Sequence, residues 1–146
     1  MNAVRAAEIE WVRRVPTVEE YRDFIERAGW SATTPLEEAA RALPRSLAAW
    51  VATIDGDVVA IGRAVGDGIY ISLHDLIVHP DHRGRGIGSA LLARLIEDLR
   101  AEFPASTLAL FAAHGTQGFY EKHGFRRRPD DAPGMMRGPD RSVSSP

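Results

Sequence analysis

The sequence predicts a mixed α/β domain in which a mostly antiparallel sheet includes one parallel β-α-β unit. An apolar segment, Leu76–Val78, leads into a glycine-rich turn and an amphipathic helix, and a second continuous apolar segment begins at Thr107. Strands buried on both faces of a parallel pair are apolar throughout. Hairpin signals upstream of Leu76 add antiparallel strands to this pair, because a two-residue turn can join only antiparallel neighbours.

The composition is that of one globular domain. The chain has 146 residues, 45% hydrophobic and 26% charged, with a net charge of −2 and no cysteine. The charge argues against a dedicated nucleic-acid binder, and the lack of cysteine excludes a disulfide framework. No apolar run reaches the roughly 18 residues of a membrane span, and the N-terminus lacks the apolar core of a signal peptide. We therefore expect a cytoplasmic protein with no membrane or nucleic-acid partner.

The N-terminal third predicts a strand and two helices. Weak alternation over Glu8–Val15 indicates a first strand. Thr17–Glu20 and Thr34–Glu37 both fit the capping box, in which a hydroxyl residue and a glutamate three positions later close the first turn of a helix. The first helix should end at Gly29, and the second near Pro44.

An antiparallel meander follows. Asp55-Gly56 between two apolar runs is a strong hairpin signal, and it predicts strands over Trp50–Ile54 and Val58–Val65. A second glycine-containing turn, 66–68, leads to a third strand over Ile69–Val78.

The C-terminal half predicts further strands and helices. An apolar stripe at helical spacing predicts a helix over Ile87–Glu102; its members are Leu91, Leu92, Leu95, Ile96 and Leu99. The remaining predicted elements are a strand over Thr107–Ala113, a short helix over Thr116–His123, and strands at Phe125–Arg128 and Gly134–Arg137. The sheet would then have six or seven strands, with residues 1–137 forming a single domain and residues 138–146 a disordered tail.

The glycine-rich turn has the features of a phosphate site. Gly84, Gly86 and Gly88 lie at the start of a helix, where N–H groups are unpaired and the helix dipole is positive. Glycine lets a ligand approach the backbone closely, and Arg83 and Arg85 add positive charge. A pyrophosphate is the expected ligand.

Two common pyrophosphate sites fit poorly. A P-loop needs Gly-Lys-Ser/Thr, and the only lysine, Lys122, lies far downstream. A dinucleotide fold needs Gly-x-Gly-x-x-Gly and an acidic residue about 20 positions later. Here the spacing is Gly-x-Gly-x-Gly, and residues 103–106 contain no acid.

A third interpretation matches two motifs. Residues 78–88, Val-His-Pro-Asp-His-Arg-Gly-Arg-Gly-Ile-Gly, resemble the signature of the GCN5-related N-acetyltransferase (GNAT) family, Arg/Gln-x-x-Gly-x-Gly/Ala after a strand ending in Val-x-Pro. Residues 119–125, Phe-Tyr-Glu-Lys-His-Gly-Phe, resemble the family's Tyr-Glu-Lys-x-Gly-Phe helix. The resemblance covers residues 47–128 and implies the GNAT fold and acetyl-CoA as cosubstrate. No grouping of histidine, aspartate and glutamate has the spacing of a metal site, so we expect no metal.

The resemblance also implies a cofactor site between two strands that part at their C-terminal ends. Backbone groups of Leu76, Ile77 and Val78 would bind the pantetheine. The pyrophosphate would be held by a run of amides, those of Arg83, Gly84, Arg85, Gly86, Ile87, Gly88 and Ser89. Many family members have an asparagine before the last helix; here His114 or Gln117 substitutes for it, or the contact is missing.

The family reaction is direct attack of an amine on the acetyl thioester. Tyr120 matches the family's proton donor for the leaving thiolate, although it could simply pack beside Phe119 and Phe125. For the general base we expect Asp75, His74 or a water chain to another group. Because neighbours on a strand point to opposite faces, only one of Asp75 and His74 should face the acceptor.

The acceptor is the least determined part of the site. The two N-terminal helices and the loops after Gly66 and Pro129 should form its pocket. Candidate lining residues are Tyr21, Phe24, Trp30 and Trp50 as aromatics, and Asp67, Asp130 and Asp131 as acids. The expected function is acetylation of a small-molecule primary amine. The alternatives are acetylation of a protein or peptide amine, and a non-catalytic acyl-CoA-binding sensor; a homodimer is possible in each case.

Overall fold

The computed structural model describes residues 8–31 and 33–140, and the fold is given for these residues. The strands are β1 (Glu10–Val12), β2 (Ala48–Ile54), β3 (Asp57–Gly66), β4 (Tyr70–Val78) and β5 (Thr107–Ala109). The α-helices are α1 (Val18–Arg27), α2 (Leu36–Ala42), α3 (Ile87–Glu102) and α4 (Gln117–Glu121). Short 3-10 helices occupy Leu43–Arg45 and Pro80–His82.

The described strands form one sheet in the order β1-β2-β3-β4-β5. The first four strands are antiparallel to their neighbours, whereas β4 and β5 are parallel. The mixed sheet with one β-α-β unit is therefore confirmed. Asp55 and Gly56 join β2 to β3 with φ values of 50° and 84°, the left-handed pair that a type I′ hairpin turn requires.

Helices cover both faces of the sheet. On one face, the predicted stripe of α3 is buried against the sheet, where Leu92, Leu95 and Leu99 pack with Ile71 and Leu73. On the other face, Phe24 of α1 is fully buried in a smaller cluster with residues of β2 and β3. The two clusters hold the sheet between α3 and α1.

One of the two capping boxes is present. The side chain of Thr17 accepts a hydrogen bond from the amide of Glu20, and the carboxylate of Glu20 accepts one from the amide of Thr17. The second prediction, at Thr34, is wrong. Helix α2 is preceded by Pro35 as its N-cap, with no side-chain cap, which leaves Thr34 one residue too early to close the first turn.

The sheet has five strands over the described residues, fewer than the six or seven that we expected. Residues 125–128 and 134–137 have no strand structure, and β5 ends at Ala109. Proline lacks the N–H that a ladder needs, and Pro129 and Pro133 interrupt this region. Of the expected tail, residues 138–140 have no helix or strand, and residues 141–146 lie outside the described residues, as do residues 1–7.

Across the two described ranges, 8–31 and 33–140, no helix combines the length and apolar character needed to cross a lipid bilayer.

Candidate active site

Strands β4 and β5 part in the middle of β4. Their parallel pairing runs from Tyr70 with Thr107 to Ser72 with Ala109 and stops there. Strand β4 continues to Val78, still paired with β3 on its other edge. Among the described residues, no strand pairs with the β5 side of β4 beyond Ser72, so the last part of this edge is open for hydrogen bonding.

The glycine turn lies directly beyond the open edge. Gly84 and Gly86 have φ values of 76° and 77°, a left-handed conformation that costs most other residues about 1–2 kcal/mol. Gly86 is the N-cap of α3, and its carbonyl accepts the first helical hydrogen bond, from Ala90. Within the described chain, the amides from Gly84 to Ser89 have no acceptor, whereas the amide of Arg83 donates to the carbonyl of Pro80 at 3.4 Å.

Close packing fixes α4 against this turn. A Cβ added at Gly88 would lie 3.5 Å from the ring of Phe119 and 3.6 Å from Val78. The imidazole of His123 lies 3.3 Å from the hydroxyl of Ser89. The end of β4, the first turn of α3 and one face of α4 therefore meet at the same place.

Tyr120 lies on α4 and is half-buried. Its ring makes edge-to-face contacts with Phe119 and Phe125, at centroid distances of 5.1 and 6.0 Å, so the expected packing role is present. Burial raises the pKa of Tyr120 above its ordinary value, which keeps the hydroxyl protonated at neutral pH. A protonated phenol is the form that can donate a proton to a leaving thiolate.

Strand β4 bulges at Asp75. Ile61 pairs with Ile77 and Arg63 with His74, so Gly62 alone lies opposite both Asp75 and Leu76. Asp75 has a φ of 55°, which is uncommon for a residue other than glycine. A bulge with one residue in this conformation breaks the alternation of side chains along a strand.

The bulge corrects the expectation that only one of His74 and Asp75 could face the acceptor. Paired residues of antiparallel strands share a face, and Arg63 shares its face with Ile61, which packs in the α1 cluster. His74 therefore lies on the α1 face, and the carboxylate of Asp75 reaches the same face through its bonds to Arg63 and Tyr21.

Hydrogen bonds link the polar groups around the bulge. Arg63 Nε lies 2.7 Å from Asp75 Oδ2, and the hydroxyl of Tyr21 donates to the same oxygen at 3.2 Å. His74 Nε2 lies 2.7 Å from the hydroxyl of Ser72. Burial, and then the charge of Asp75, raise the pKa of Tyr21 to about 12. Burial, and then the charge of Arg63, lower the pKa of His74, so His74 is neutral at pH 7.

An open cavity of about 240 Å³ lies between α1 and the bulge. Its lining consists of Tyr21, Ile25, Trp30, Ser31, Thr33, Thr34, Asp75 and Ile77. Two of the four aromatic candidates, Tyr21 and Trp30, line it. The other two do not, since Phe24 is fully buried in the core and Trp50 packs on the α3 face, where its indole N–H donates to Asp98 at 2.8 Å.

The loops after Gly66 and Pro129, which we expected to help form the acceptor pocket, contribute none of the described residues that line this cavity. Asp67 accepts hydrogen bonds from the amides of Ile69 and Tyr70, which closes its own turn. Asp130 pairs with Arg127 at 2.8 Å, and Asp131 is exposed.

The two residues considered in place of the family asparagine lie beside α4. His114 is exposed in the loop before α4, and Gln117, also exposed, is the first residue of the helix.

Neither the role of Arg63 nor the bulge was predicted from the sequence. Gly62 and Arg63 interrupt an otherwise apolar strand, and glycine within a strand often marks a bulge or a close approach. An arginine within an apolar strand, followed by an aspartate in the next strand, is the sequence pattern that could have indicated the ion pair.

Within residues 8–31 and 33–140, no three histidine, aspartate or glutamate side chains form a group that could hold a metal ion.

The open β4 edge and the helix N-terminus beyond it agree with the cofactor site that the resemblance to acetyltransferases implies. A family model described as an acetyltransferase (GNAT) domain matches residues 45–127, more than half of the chain. The protein belongs to the GNAT family.

Individual relatives agree with this assignment. The chain is 38% identical over 104 residues to serotonin N-acetyltransferase 2, chloroplastic, of Oryza sativa, covering 68% of this chain and 52% of the relative. It is 38% identical over 79 residues to GCN5-related N-acetyltransferase 1, chloroplastic, of Arabidopsis thaliana, covering 53% of this chain and 40% of the relative. The chain thus spans about half the length of the curated relatives it matches.

Among solved structures, a GNAT family acetyltransferase from Streptococcus pneumoniae superposes with a TM-score of 0.76 at 26% identity, covering 92% of this chain and 100% of that chain. A protein from Staphylococcus aureus superposes with a TM-score of 0.80 at 24% identity, covering 90% and 99% of the two chains; this second similarity concerns the fold alone.

Proposed function

We propose that this protein transfers an acetyl group from acetyl-CoA to a primary amine of a small molecule. The observation that carries the proposal is the open edge of β4 followed directly by the unpaired amides from Gly84 to Ser89. An extended pantetheine arm and a pyrophosphate are the two parts of coenzyme A that such a pair of features would bind. Membership of the GNAT family supports the same assignment.

The residues present fit acetyl-CoA. Leu76, Ile77 and Val78 would pair with the amides of the pantetheine, as an added strand pairs with a sheet edge. The amides of residues 84–89 would hold the pyrophosphate, and the exposed side chains of Arg83 and Arg85 would offset its charge. His114 and Gln117 remain the candidates for the contact that an asparagine makes in many relatives.

Acetyl-CoA supplies an activated acyl group, and the side chains would manage the protons. The amine nitrogen bonds to the thioester carbon, the carbon–sulfur bond breaks, and Tyr120 donates its proton to the departing thiolate. A backbone N–H at the open edge of β4 would stabilise the oxyanion. Losing one such donor typically costs about 3 kcal/mol of barrier.

For the general base we propose His74, acting directly or through water, with Asp75 as the alternative. His74 is neutral at pH 7 because burial and Arg63 lower its pKa, so it can accept the proton that leaves the amine. One oxygen of Asp75 is already held by Arg63 and Tyr21. Asp75 is therefore better suited to hold its neighbours in position.

Several observations favour a small acceptor. The cavity beside Asp75 is bounded by α1 and the segment after it, and a relative with 38% identity is named a serotonin N-acetyltransferase. Acetylation of a protein amine is the second candidate, since a relative with 30% identity over 80 residues is named a histone acetyltransferase. Tyr120, at the family's acid position, argues against a non-catalytic acyl-CoA sensor.

A thiol-release assay tests the proposal. The protein is mixed with acetyl-CoA and a panel of amines, and free CoA is measured with a thiol reagent; the chain has no cysteine, so it gives no background. Tyr120→Phe should lower kcat about 10²-fold or more, since it removes the general acid. Tyr70→Phe is the matched control, because Tyr70 is 71% exposed at the opposite end of β4.

Amine-dependent release that falls with Tyr120→Phe and not with Tyr70→Phe would support the enzyme. Binding of acetyl-CoA with no release for any small amine or peptide would overturn it in favour of the sensor.

A further inference from the structure

We propose that the acceptor is an aromatic monoamine, a primary amine joined to an aromatic ring by a short alkyl chain, and that the cavity between α1 and the β4 bulge binds its ring. This inference rests on the proposed function and specifies its substrate. It follows from the size of the cavity, the aromatic and aliphatic residues in its lining, and its charge.

The cavity is small and partly aromatic. Its volume of about 240 Å³ is smaller than that of typical pockets for drug-sized ligands, which is about 300–1,000 Å³. Two aromatic side chains, Tyr21 and Trp30, and two branched ones, Ile25 and Ile77, provide its apolar surface. Aromatic rings gain both from burial and from edge or stacked contacts with other rings, so this lining favours an aromatic acceptor over an aliphatic one.

Trp30 is the most exposed part of this surface. Its side chain is 51% exposed, which is high for an indole in a folded domain. Its backbone is nevertheless held in place, because its amide donates to the carbonyl of Ile25 at 3.0 Å and Gly29 before it adopts a φ of 90° at the end of α1. An exposed indole on a backbone that is held in place beside a cavity is suited to cover a ligand ring.

The charge of the lining excludes other classes of amine. Asp75 is the only charged residue among the described residues that line it, and Arg63 already neutralises that carboxylate at 2.7 Å. Among the described lining residues there is no second carboxylate to hold the distal ammonium of a polyamine. The same residues include no lysine or arginine to hold the phosphate of a sugar phosphate.

The remaining lining residues, Ser31, Thr33 and Thr34, carry hydroxyl groups. A hydroxyl can both donate and accept a hydrogen bond. These side chains can therefore accommodate a polar substituent on the ring without requiring a charge there.

The test compares four acceptors with the full-length chain at saturating acetyl-CoA: phenethylamine, 1,4-diaminobutane, glucosamine 6-phosphate and a lysine-containing peptide. We expect kcat/KM for phenethylamine to exceed the values for the other three acceptors by roughly tenfold or more.

Trp30→Ala should raise the KM for phenethylamine by roughly tenfold while leaving the KM for acetyl-CoA unchanged. Trp30→Phe should restore most of the affinity. Leu36→Ala, at an exposed apolar residue outside the lining, should have no effect.

Two results would overturn the inference while leaving the proposed function intact. One is a higher kcat/KM for the diamine, the sugar phosphate or the peptide than for phenethylamine. The other is an unchanged KM for phenethylamine in Trp30→Ala. Absence of thiol release with every acceptor would overturn both proposals.

Discussion

The guanidinium of Arg63 and the carboxylate of Asp75 meet at 2.7 Å at the point where β4 bulges away from its regular alternation. Both side chains are largely buried, with 18% and 22% of their surfaces exposed. The ion pair connects β4 to β3, and the hydroxyl of Tyr21 connects the same carboxylate to α1. Strands β3 and β4 and helix α1 are thus joined through one oxygen atom.

Breaking this pair should destabilise the fold from either side. Arg63→Gln and Asp75→Asn should each lower the free energy of unfolding by about 1–3 kcal/mol, because each leaves a largely buried polar group without its charged partner. The double variant should lose less than the sum of the two. Urea denaturation of the four proteins measures the coupling, and strictly additive losses would show that the contact contributes nothing.

The pH dependence of activity should follow His74. Protonation removes its ability to accept a proton, so kcat/KM should fall as the pH drops through the pKa of His74. Burial and Arg63 lower that pKa, which places the acid limb below the ordinary histidine value of about 6.5. Arg63→Gln should move the limb to higher pH, and His74→Gln should abolish it. A limb that persists in His74→Gln would transfer the role of base to Asp75 or to a water chain.

The stability of the fold should also depend on the protonation of His74, and it should fall at acid pH. Because the pKa of His74 is lower in the folded chain than in the unfolded chain, the unfolded state binds more protons between the two values. The contribution of His74 is therefore complete above about pH 6.5 and is lost as the pH falls through the folded pKa. Urea midpoints between pH 5 and 8 should decline more steeply on the acid side for the wild type than for His74→Gln.

Replacing the threonines of the two expected capping boxes by alanine should lower the stability of the fold by different amounts. Thr17→Ala removes the hydroxyl that accepts from the amide of Glu20 and should cost about 1 kcal/mol. Thr34→Ala is the matched control, since α2 has no side-chain cap, and should cost about 0.5 kcal/mol or less. Thermal or urea unfolding compares the two variants; equal losses would contradict the assignment of the caps.

Gly62 should resist substitution because of its neighbours. A Cβ there would lie 3.0 Å from Leu76 Cδ1, 3.1 Å from Leu95 Cδ1 and 3.3 Å from Leu91 Cδ2. Gly62→Ala should therefore destabilise the fold by about 1–3 kcal/mol through overpacking.

Gly118→Ala serves as the control for Gly62→Ala, because a Cβ at Gly118 in α4 would meet nothing within 4 Å and should be neutral or stabilise by about 0.5–1 kcal/mol. If Gly62→Ala is tolerated as well as Gly118→Ala, the close packing of α3 over the bulge is not a constraint.

Features that depend on neighbouring residues could be predicted from the sequence alone. The capping box at Thr17, the hairpin turn at Asp55-Gly56, the apolar stripe of α3 and the glycine turn at its N-terminus all depend on hydrogen bonds or periodicity within a few positions. Such local preferences are present in the chain before any tertiary contact forms, so a pattern of residues is sufficient to identify them.

The arrangement of the site depends on tertiary contacts and could not be predicted from the sequence. Whether β4 bulges depends on how its residues pair with β3, and that pairing brought His74 and Asp75 to one face against the expected alternation. The cavity exists because α1 packs beside the bulge. The expected C-terminal strands would have needed a neighbouring strand to pair with, and β5, with only three residues, does not provide one. Pairing register and helix packing join residues far apart in the chain, so no local pattern could specify them.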